Sequence, residues 1–317
     1  MVGDSADNAF VGGINSMDWN RDFADDAIYF GTVAGTQAAP TGSLMRGRLT
    51  LTDDGLGFDF STMFAMGKPV TARPSTVIDY QGDNWVFAGS GRFYTRTDAS
   101  TTSTNQFVGI METKLAASDT SHASGVGTTT FNNSQLYDTT DITTYSDGTI
   151  KGALPADKLK TVDALRDYIR NHKTSDTATE PQYKGWIRTF GQDQRQHSEA
   201  AYAAGTLLFG TSDPADSGSC DSSDKGYIYL IDMLSGIPSP YSNNTTPLTA
   251  EQRLNLGLAG NVNEISKSKE VDSAIFQKLD PFTSKISLGN AALEDAPALD
   301  LNIESKRHSW REVPITW

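Results

Sequence analysis

Short apolar runs, each bounded by turn-forming residues, are the feature that most limits how this chain can fold. Glycine, proline, serine, threonine, asparagine and aspartate fill the gaps between the runs. Runs of this length with such boundaries are typical of β-strands. The predicted fold class is therefore all-β. We expect strands at Ala27–Val33, Leu44–Thr52, Ser75–Tyr80, Asn84–Ala88, Asn105–Met111, Lys184–Phe190, Thr206–Phe209, Lys225–Asp232, Lys285–Leu288 and Arg307–Glu312.

One segment has the spacing of a helix instead. Between Asp157 and His172 the apolar residues Leu159, Val162, Leu165 and Ile169 recur every three or four positions, and charged residues fill the other positions. This period predicts an amphipathic α-helix. We expect a surface helix at residues 157–172 that packs one apolar stripe on a sheet.

The charge balance excludes several classes of partner. The chain of 317 residues has 26 Lys and Arg against 39 Asp and Glu, so the net charge is −13. Nucleic acids and anionic membrane surfaces need a basic binding face, so neither is an expected partner. No apolar run is long enough to span a bilayer. A polar tract at residues 116–148 is expected to form a long solvated insertion in a single domain covering residues 1–317.

An oxygen-rich segment comes directly before the first predicted strand. In DWNRDFADD, side-chain oxygens recur at relative positions one, three, five and nine, and position seven offers a backbone carbonyl. Calcium takes about six to eight oxygen ligands, and this spacing is that of the first nine residues of a calcium loop. Since the carboxylates repel one another, binding and loop folding should be coupled. The predicted Ca²⁺ ligands are Asp18, Asn20, Asp22, the backbone carbonyl of Ala24, and Asp26.

The segment departs from a helix–loop–helix calcium site in three ways. Phe23 stands at position six, where such loops have glycine, and Tyr29 stands at position twelve, where they have glutamate. The residues after the loop have the pattern of a strand rather than a helix. We therefore expect a short loop that leads into a strand. Because aspartate-rich turns are also common without a metal, a purely structural turn remains an alternative.

Sequence motifs for catalysis are absent. The four histidines, His122, His172, His197 and His308, are far apart and form no zinc-binding motif. The sequence has no nucleophile elbow, Walker loop or dinucleotide-binding fingerprint. Cys220 is the single cysteine, so an internal disulfide cannot form. The chain is predicted not to be an enzyme.

Five segments occur in an order that is typical of one protein family. They are Asp18–Gly31 (DWNRDFADDAIYFG), Gly42–Leu49 (GSLMRGRL), Lys68–Ile110, Lys184–Ser235, and Leu288–Val313, which contains HSWREV. Together they resemble the C-terminal β-propeller of the PilC/PilY family of type IV pilus tip and biogenesis proteins. The resemblance extends from about Phe10 to the end of the chain. The order and spacing of the segments carry it, rather than any one of them.

The resemblance implies a β-propeller fold and a function. The loop at residues 18–26 would bind calcium, and the protein would lie extracellularly, on the bacterial cell surface at the pilus (fimbrium) tip. It would support pilus assembly, control of retraction, and adhesion to a host or abiotic surface. Its partners would be minor pilins of the tip complex.

The resemblance also implies an incomplete ring. The family has a long N-terminal region and further propeller blades before the calcium loop, whereas this chain begins close to that loop. At about 40–45 residues per blade, we expect four or five blades here. Exposed strand edges are hazardous, so another polypeptide or a second copy completes the ring, or the chain is a fragment. The start, Met1–Ser5, lacks the basic and apolar regions of a signal peptide.

Two other functions remain as alternatives. The pattern GYIYLIDMLSG at residues 226–236 is shared with quinone-dependent propeller dehydrogenases, although a single cysteine cannot form their vicinal disulfide. A free-standing adhesin or lectin-like module is the other alternative. Bound quinone would indicate the first, and glycan binding without pilins would indicate the second.

Overall fold

The fold is known from a computed structural model. It describes residues 9–52, 55–94, 98, 102–113, 126–145, 148–155, 159–175, 181–196, 198–203, 205–213 and 225–238, together with three strands at 251–254, 262–266 and 284–288. The predicted strand Arg307–Glu312 and Cys220 lie outside the described residues.

Strands are the predominant secondary structure of the described chain, as predicted. They are β1 (Phe10–Met17), β2 (Ala27–Gly35), β3 (Pro40–Thr41), β4 (Leu44–Thr52), β5 (Gly55–Phe64), β6 (Ser75–Ile78), β7 (Asn84–Gly89), β8 (Gln106–Met111), β9 (Tyr137–Asp138), β10 (Thr143–Thr144), β11 (Ile150–Lys151), β12 (Gly185–Thr189), β13 (Ala201–Ala203), β14 (Thr206–Asp213), β15 (Lys225–Asp232), β16 (Glu251–Leu254), β17 (Val262–Ser266) and β18 (Ser284–Leu288). A short 3₁₀ helix (Asn133–Gln135) and one α-helix, α1 (Val162–Asn171), complete the described elements.

Three larger sheets contain most of these strands. The first sheet has the order β1-β2-β4-β5, with β3 paired to β2. The second has the order β6-β7-β8-β12-β9, and the third has the order β13-β14-β15-β16. All neighbours in these sheets are antiparallel except β9 and β12. Two hairpins, β10-β11 and β17-β18, are separate. None of the described sheets closes on itself. Strands far outnumber helices among the described elements, which confirms the predicted all-β class.

The second sheet lies between the other two and is buried on both faces. Successive residues of β7 alternate between two cores: Trp85 and Phe87 belong to one, and Val86 and Ala88 belong to the other. The first core continues into β14 and β15 of the third sheet, and the second continues into β2, β4 and β5 of the first sheet. Side chains of a strand alternate between the faces of its sheet, so one strand supplies both cores.

Stacked aromatic rings join the second sheet to the third. The ring centroids of Phe107 and Phe209 are 4.2 Å apart, and those of Phe209 and Tyr229 are 5.0 Å apart, with nearly parallel planes in both pairs. Aromatic pairs in contact add about 0.5–1.5 kcal/mol beyond the area that they bury. The face-to-face arrangement of these sheets is therefore specified by matched large side chains.

The helix forms inside the predicted segment but is shorter than predicted. It begins after Thr161, whose hydroxyl accepts a hydrogen bond from the N–H of Ala164 (3.2 Å). This cap fixes the N-terminus and leaves Leu159 before the helix. The predicted apolar stripe is confirmed, since Val162, Leu165 and Ile169 are all buried. No described helix is long and apolar enough to cross a membrane.

The polar tract differs from the solvated insertion that we expected. Its described part, residues 126–145, contains the 3₁₀ helix, β9 and β10. Scattered apolar side chains in this part are buried in the two cores, among them Val126, Phe131, Leu136 and Ile142. Isolated apolar residues in a polar sequence have no period, which is why the pattern did not reveal them.

Candidate functional site: the loop between the first two strands

The predicted ligand residues form the connection between β1 and β2. The strands pair up to Met17 and Ala27, and the N–H of Asp26 donates to the carbonyl of Met17 (2.9 Å). The carbonyl of Asp26 in turn accepts the N–H of Leu49 on β4 (2.9 Å). The end of the loop is thus fixed on two strands, and the predicted strand after the loop is confirmed.

Asp18 organises the first half of the loop. Its Oδ1 accepts the N–H groups of Arg21 (2.6 Å) and Asp22 (3.2 Å), and its Oδ2 accepts the N–H of Phe23 (2.8 Å). A carboxylate that accepts several N–H groups of the following residues bends the backbone around itself. Asp18 therefore stands at the start of a closed turn, as the first ligand of a calcium loop does.

The backbone of the loop adopts the conformation that glycine usually supplies at position six. Phe23 has φ of +72°, and Arg21 has φ of +64°. These are left-handed values, which cost about 1–2 kcal/mol for a residue with a Cβ atom. Phe23 is fully exposed, so its side chain gains nothing by packing that would offset this cost. Phe23 therefore adopts the bend that glycine forms in helix–loop–helix calcium sites, but at a cost in backbone strain.

Asn20 joins the two later carboxylates. Its Nδ2 donates to Asp22 Oδ2 (3.0 Å) and to Asp26 Oδ1 (3.3 Å), while its Oδ1 accepts the N–H of Asp22 (2.8 Å). Three of the predicted ligands are therefore brought together in one place. A donor group between two carboxylates offsets their mutual repulsion, as a bound cation would.

Asp26 is the buried member of the group. Its Oδ2 accepts the N–H groups of Trp19 (2.8 Å) and Asn20 (3.0 Å). Burial raises the pKa of the Asp26 carboxyl, those two hydrogen bonds oppose the increase, and the charges of Asp22 and Asp18 add to it. Burial, the largest cause, and the neighbouring carboxylates together disfavour the charged form of Asp26. A cation would favour the charged form.

Ala24 joins the loop through its N–H, which donates to Asp22 Oδ1 (2.9 Å). Its backbone carbonyl as a ligand stays a prediction.

In the described part of the chain, no three His, Cys, Asp or Glu side chains are arranged as a group that could hold a metal ion as they stand. Calcium binding therefore requires the carboxylates of Asp18, Asp22 and Asp26 to exchange N–H donors for the ion. The all-oxygen set fits calcium in chemistry, charge and order along the chain.

A buried chain of polar groups connects the loop to the core. The Nε1 of Trp19 donates to the hydroxyl of Tyr29 (2.8 Å), which donates to Oε2 of Glu112 (2.9 Å). Oε1 of Glu112 forms a buried ion pair with Arg46, and Arg46 donates to the carbonyl of Thr129 (2.9 Å). Burial and the neighbouring carboxylate raise the pKa of the Tyr29 hydroxyl well above its ordinary value, so it stays protonated and able to donate.

Sequence reasoning missed this chain, which links the first sheet to the second. Tyr29 stands where a helix–loop–helix site has its last ligand, but its hydroxyl ties the loop to the core instead. Glu112 and Arg46 are 66 residues apart along the chain, so no local pattern signals the pair. The only local sign of this buried polar chain in the sequence is that Trp19 directly follows Asp18.

Comparisons with known proteins add no assignment to this geometry. The chain matches no family model, and no curated protein matches it significantly.

Proposed function

We propose that this protein is a calcium-binding, non-enzymatic component of the type IV pilus tip that supports pilus assembly, control of retraction and surface adhesion. The observation that carries the calcium part is the left-handed backbone at Phe23, at the position where calcium loops bend. The contacts of Asn20 with Asp22 and Asp26 support it further. The pilus part rests on the ordered segments that resemble the PilC/PilY family.

Calcium would act as a clip on the fold rather than in a reaction. The carboxylates of Asp18, Asp22 and Asp26 and the Oδ1 of Asn20 would hold the ion, with the carbonyl of Ala24. The ion would supply charge neutralisation. The hydrogen bonds from Trp19 to Tyr29 and on to Glu112 would then transmit the loop's order to the contact between the first and second sheets.

A β-propeller is the architecture that we propose for the whole domain. Three mainly antiparallel sheets stacked face to face support this proposal. We further propose that additional blades come from another polypeptide. The outward face of the first sheet supports this, because Ile14, Phe58 and Phe60 are 54%, 44% and 42% exposed there. Clustered exposed apolar side chains mark interaction surfaces.

Mass spectrometry of the native complex tests the proposed function. The tagged full-length protein is purified from its source cells under native conditions, and the co-purifying polypeptides and metals are identified. We expect pilins and about one calcium ion per chain. Bound quinone would instead indicate a propeller dehydrogenase, and a native particle that contains no pilins would indicate a free adhesin. Either result would contradict the proposal.

A further inference from the structure

A cavity of about 390 Å³ lies at the end of the sheets that is opposite the calcium loop. The loop precedes the first residue of β2, whereas β3, which follows β2, lines the cavity. The nine residues of β2 separate the two places by roughly 30 Å. This cavity is called the basic pocket below. Its volume is within the usual range for small-ligand sites.

All three larger sheets contribute to the basic pocket. Pro69, which follows β5, accepts the N–H of Gly91 beyond β7 (2.8 Å). Arg195 exchanges two backbone hydrogen bonds with Ser212 of β14 (2.8 and 2.9 Å). The N–H of Gln196 donates to the carbonyl of Ser90 (3.1 Å). Backbone bonds between sheets hold the wall in one arrangement, and a preformed wall lowers the cost of binding a ligand.

Positive charge predominates among the side chains that line the pocket. Lys68, Arg92 and Arg195 line it, together with a single carboxylate, Asp98. Asp98 is held by Arg92, whose Nε and Nη2 both donate to its Oδ1 (2.9 and 2.6 Å), and its Oδ2 accepts the N–H of Tyr94 (2.9 Å). Two further cations, Lys68 and Arg195, line the wall, in a protein whose net charge is −13.

Lys68 and Arg195 differ in how deeply they are buried at the wall of the pocket. Lys68 is half-buried and forms no salt bridge with an acidic side chain among the described residues. Arg195 is 2% exposed. Burial lowers the pKa of the Arg195 guanidinium, although Asp193, Asp98 and Asp213 act in the opposite direction. Arg195 therefore brings a buried positive charge to the wall of the pocket.

The rest of the wall is divided between polar and apolar groups. Thr102, Ser103 and Asn105 line one part, and Pro40 and Pro69 line another. Asn105 is fixed, because its Nδ2 donates to Ser103 Oγ (2.9 Å) and to the carbonyl of Gln194 (2.8 Å). The Asn105 amide is fully engaged within the protein, since its Oδ1 accepts the Ser90 hydroxyl (3.1 Å). The hydroxyls of Thr102 and Ser103 suit a ligand with several hydroxyls, and the proline rings offer apolar surface.

We propose that the basic pocket binds an acidic sugar, with Lys68 and Arg195 facing its carboxylate and the hydroxyls of Thr102 and Ser103 facing its ring hydroxyls. The pocket is separate from the calcium loop, so this proposal stands or falls independently of metal binding. It gives the molecule a second site with a different chemistry: oxygen ligands for a cation at one end and cations for a carboxylate at the other.

The test uses three probes that separate charge from hydroxyl recognition. D-Glucuronate has both features, D-glucose has only the hydroxyls, and cyclohexanecarboxylate has only the acid. Each is titrated into the full-length protein in low salt, and binding is followed by saturation-transfer difference NMR. We expect glucuronate to bind about tenfold more tightly than either of the others, and to weaken as salt is added.

Two variants locate the binding in the pocket. Lys68→Gln should weaken glucuronate binding about tenfold with no change in folding, because the Lys68 side chain forms no salt bridge with a described acidic residue. Lys173→Gln, an exposed lysine outside the pocket, is the matched control and should bind as the wild type does. Absence of glucuronate binding, equal binding of glucose or of cyclohexanecarboxylate, or an unchanged affinity in Lys68→Gln would each overturn the proposal.

Discussion

Phe23 shows at the scale of one residue how the loop keeps its shape without glycine. Its φ of +72° predicts an unusual order of stability among variants. Phe23→Gly should be more stable than Phe23→Ala by about 1 kcal/mol, because only glycine adopts left-handed φ without a steric penalty. Both variants lose the same exposed ring, so their difference isolates the backbone. Urea unfolding measures it.

The neighbouring Ala24 supplies the control for this prediction. Its φ is not among the left-handed values, so Ala24→Gly should destabilise the protein by about 0.5–1 kcal/mol, the usual effect of glycine. If Phe23→Gly were also less stable than Phe23→Ala, the left-handed bend would be wrong and so would the calcium-loop geometry.

Tyr29 provides a second prediction at this scale. Tyr29→Phe removes the hydroxyl that joins Trp19 Nε1 to Glu112 Oε2, leaving a buried donor and a buried carboxylate with one partner fewer. We expect a loss of about 1–3 kcal/mol in the free energy of unfolding, together with weaker calcium binding because the loop loses its connection to the core. Denaturant unfolding and a calcium titration measure the two effects.

Tyr202→Phe is the matched control, since Tyr202 is 45% exposed. It should change neither stability nor calcium affinity appreciably. Calcium binding by Tyr29→Phe with wild-type affinity would show that the loop and the core are independent.

At the scale of elements, helix α1 is attached to the second sheet by a buried ion pair. Arg170 of the helix pairs with Asp79, which also accepts the indole N–H of Trp85 (3.0 Å). Burial favours the neutral carboxyl of Asp79, but hydrogen bonds from Asp83 and Trp85 and the charge of Arg170 outweigh it, so the pKa of Asp79 is lowered. The apolar stripe of the helix and this pair together fix its position.

Asp79→Asn should therefore destabilise the protein by about 2 kcal/mol at neutral pH. Because the pKa is lower in the folded state than its ordinary value of 3.8, the stabilisation is complete above that value and is lost as the pH falls through the folded pKa. Urea unfolding of wild type and variant across the acidic range measures this convergence. Asp167→Asn, an exposed change on the same helix, should show little effect at any pH; a difference between Asp79→Asn and wild type that stayed constant with pH would contradict the account.

The strands that the sequence predicted most accurately have either alternating or continuous apolar residues. Leu44–Thr52 and Lys225–Asp232 were predicted with the observed bounds, and Ile228, Leu230 and their neighbours in β15 are buried on both faces. Two long strands of the first sheet were missed. Phe10–Met17 contains two adjacent glycines, and Gly55–Phe64 has exposed aromatic residues at alternate positions, so neither has the composition of a core strand.

At the scale of the whole molecule, the order of the loop residues was predictable but their attachment was not. The spacing placed Asp18, Asn20, Asp22 and Asp26 in one turn, and the structure brings the last three together by hydrogen bonds. The link to Glu112 depends on the stacking of two sheets. That stacking results from long-range packing of alternating side chains, which a local pattern does not encode. The same holds for the basic pocket, whose cations come from separate segments.

The two ends of the stacked sheets differ in charge, one being acidic and the other basic. The stacked sheets carry the oxygen-rich loop at one end of β2 and the basic pocket beyond its other end, with both cores between them. In the proposed adhesion function, the stacked sheets would hold the calcium loop and the acidic-sugar pocket at a fixed separation.

Calcium titration by isothermal calorimetry tests the central claim most directly. The wild type should bind about one ion per chain, and Asp25→Ala, which removes an exposed charge between the predicted ligands, should bind with similar affinity. Asp22→Ala and Asp26→Ala should each lose about tenfold or more in affinity, since each removes a carboxylate ligand. Because Asp22 is exposed, its variant tests binding without disturbing the core. No calcium binding by the wild type, or equal binding by all four proteins, would contradict the account.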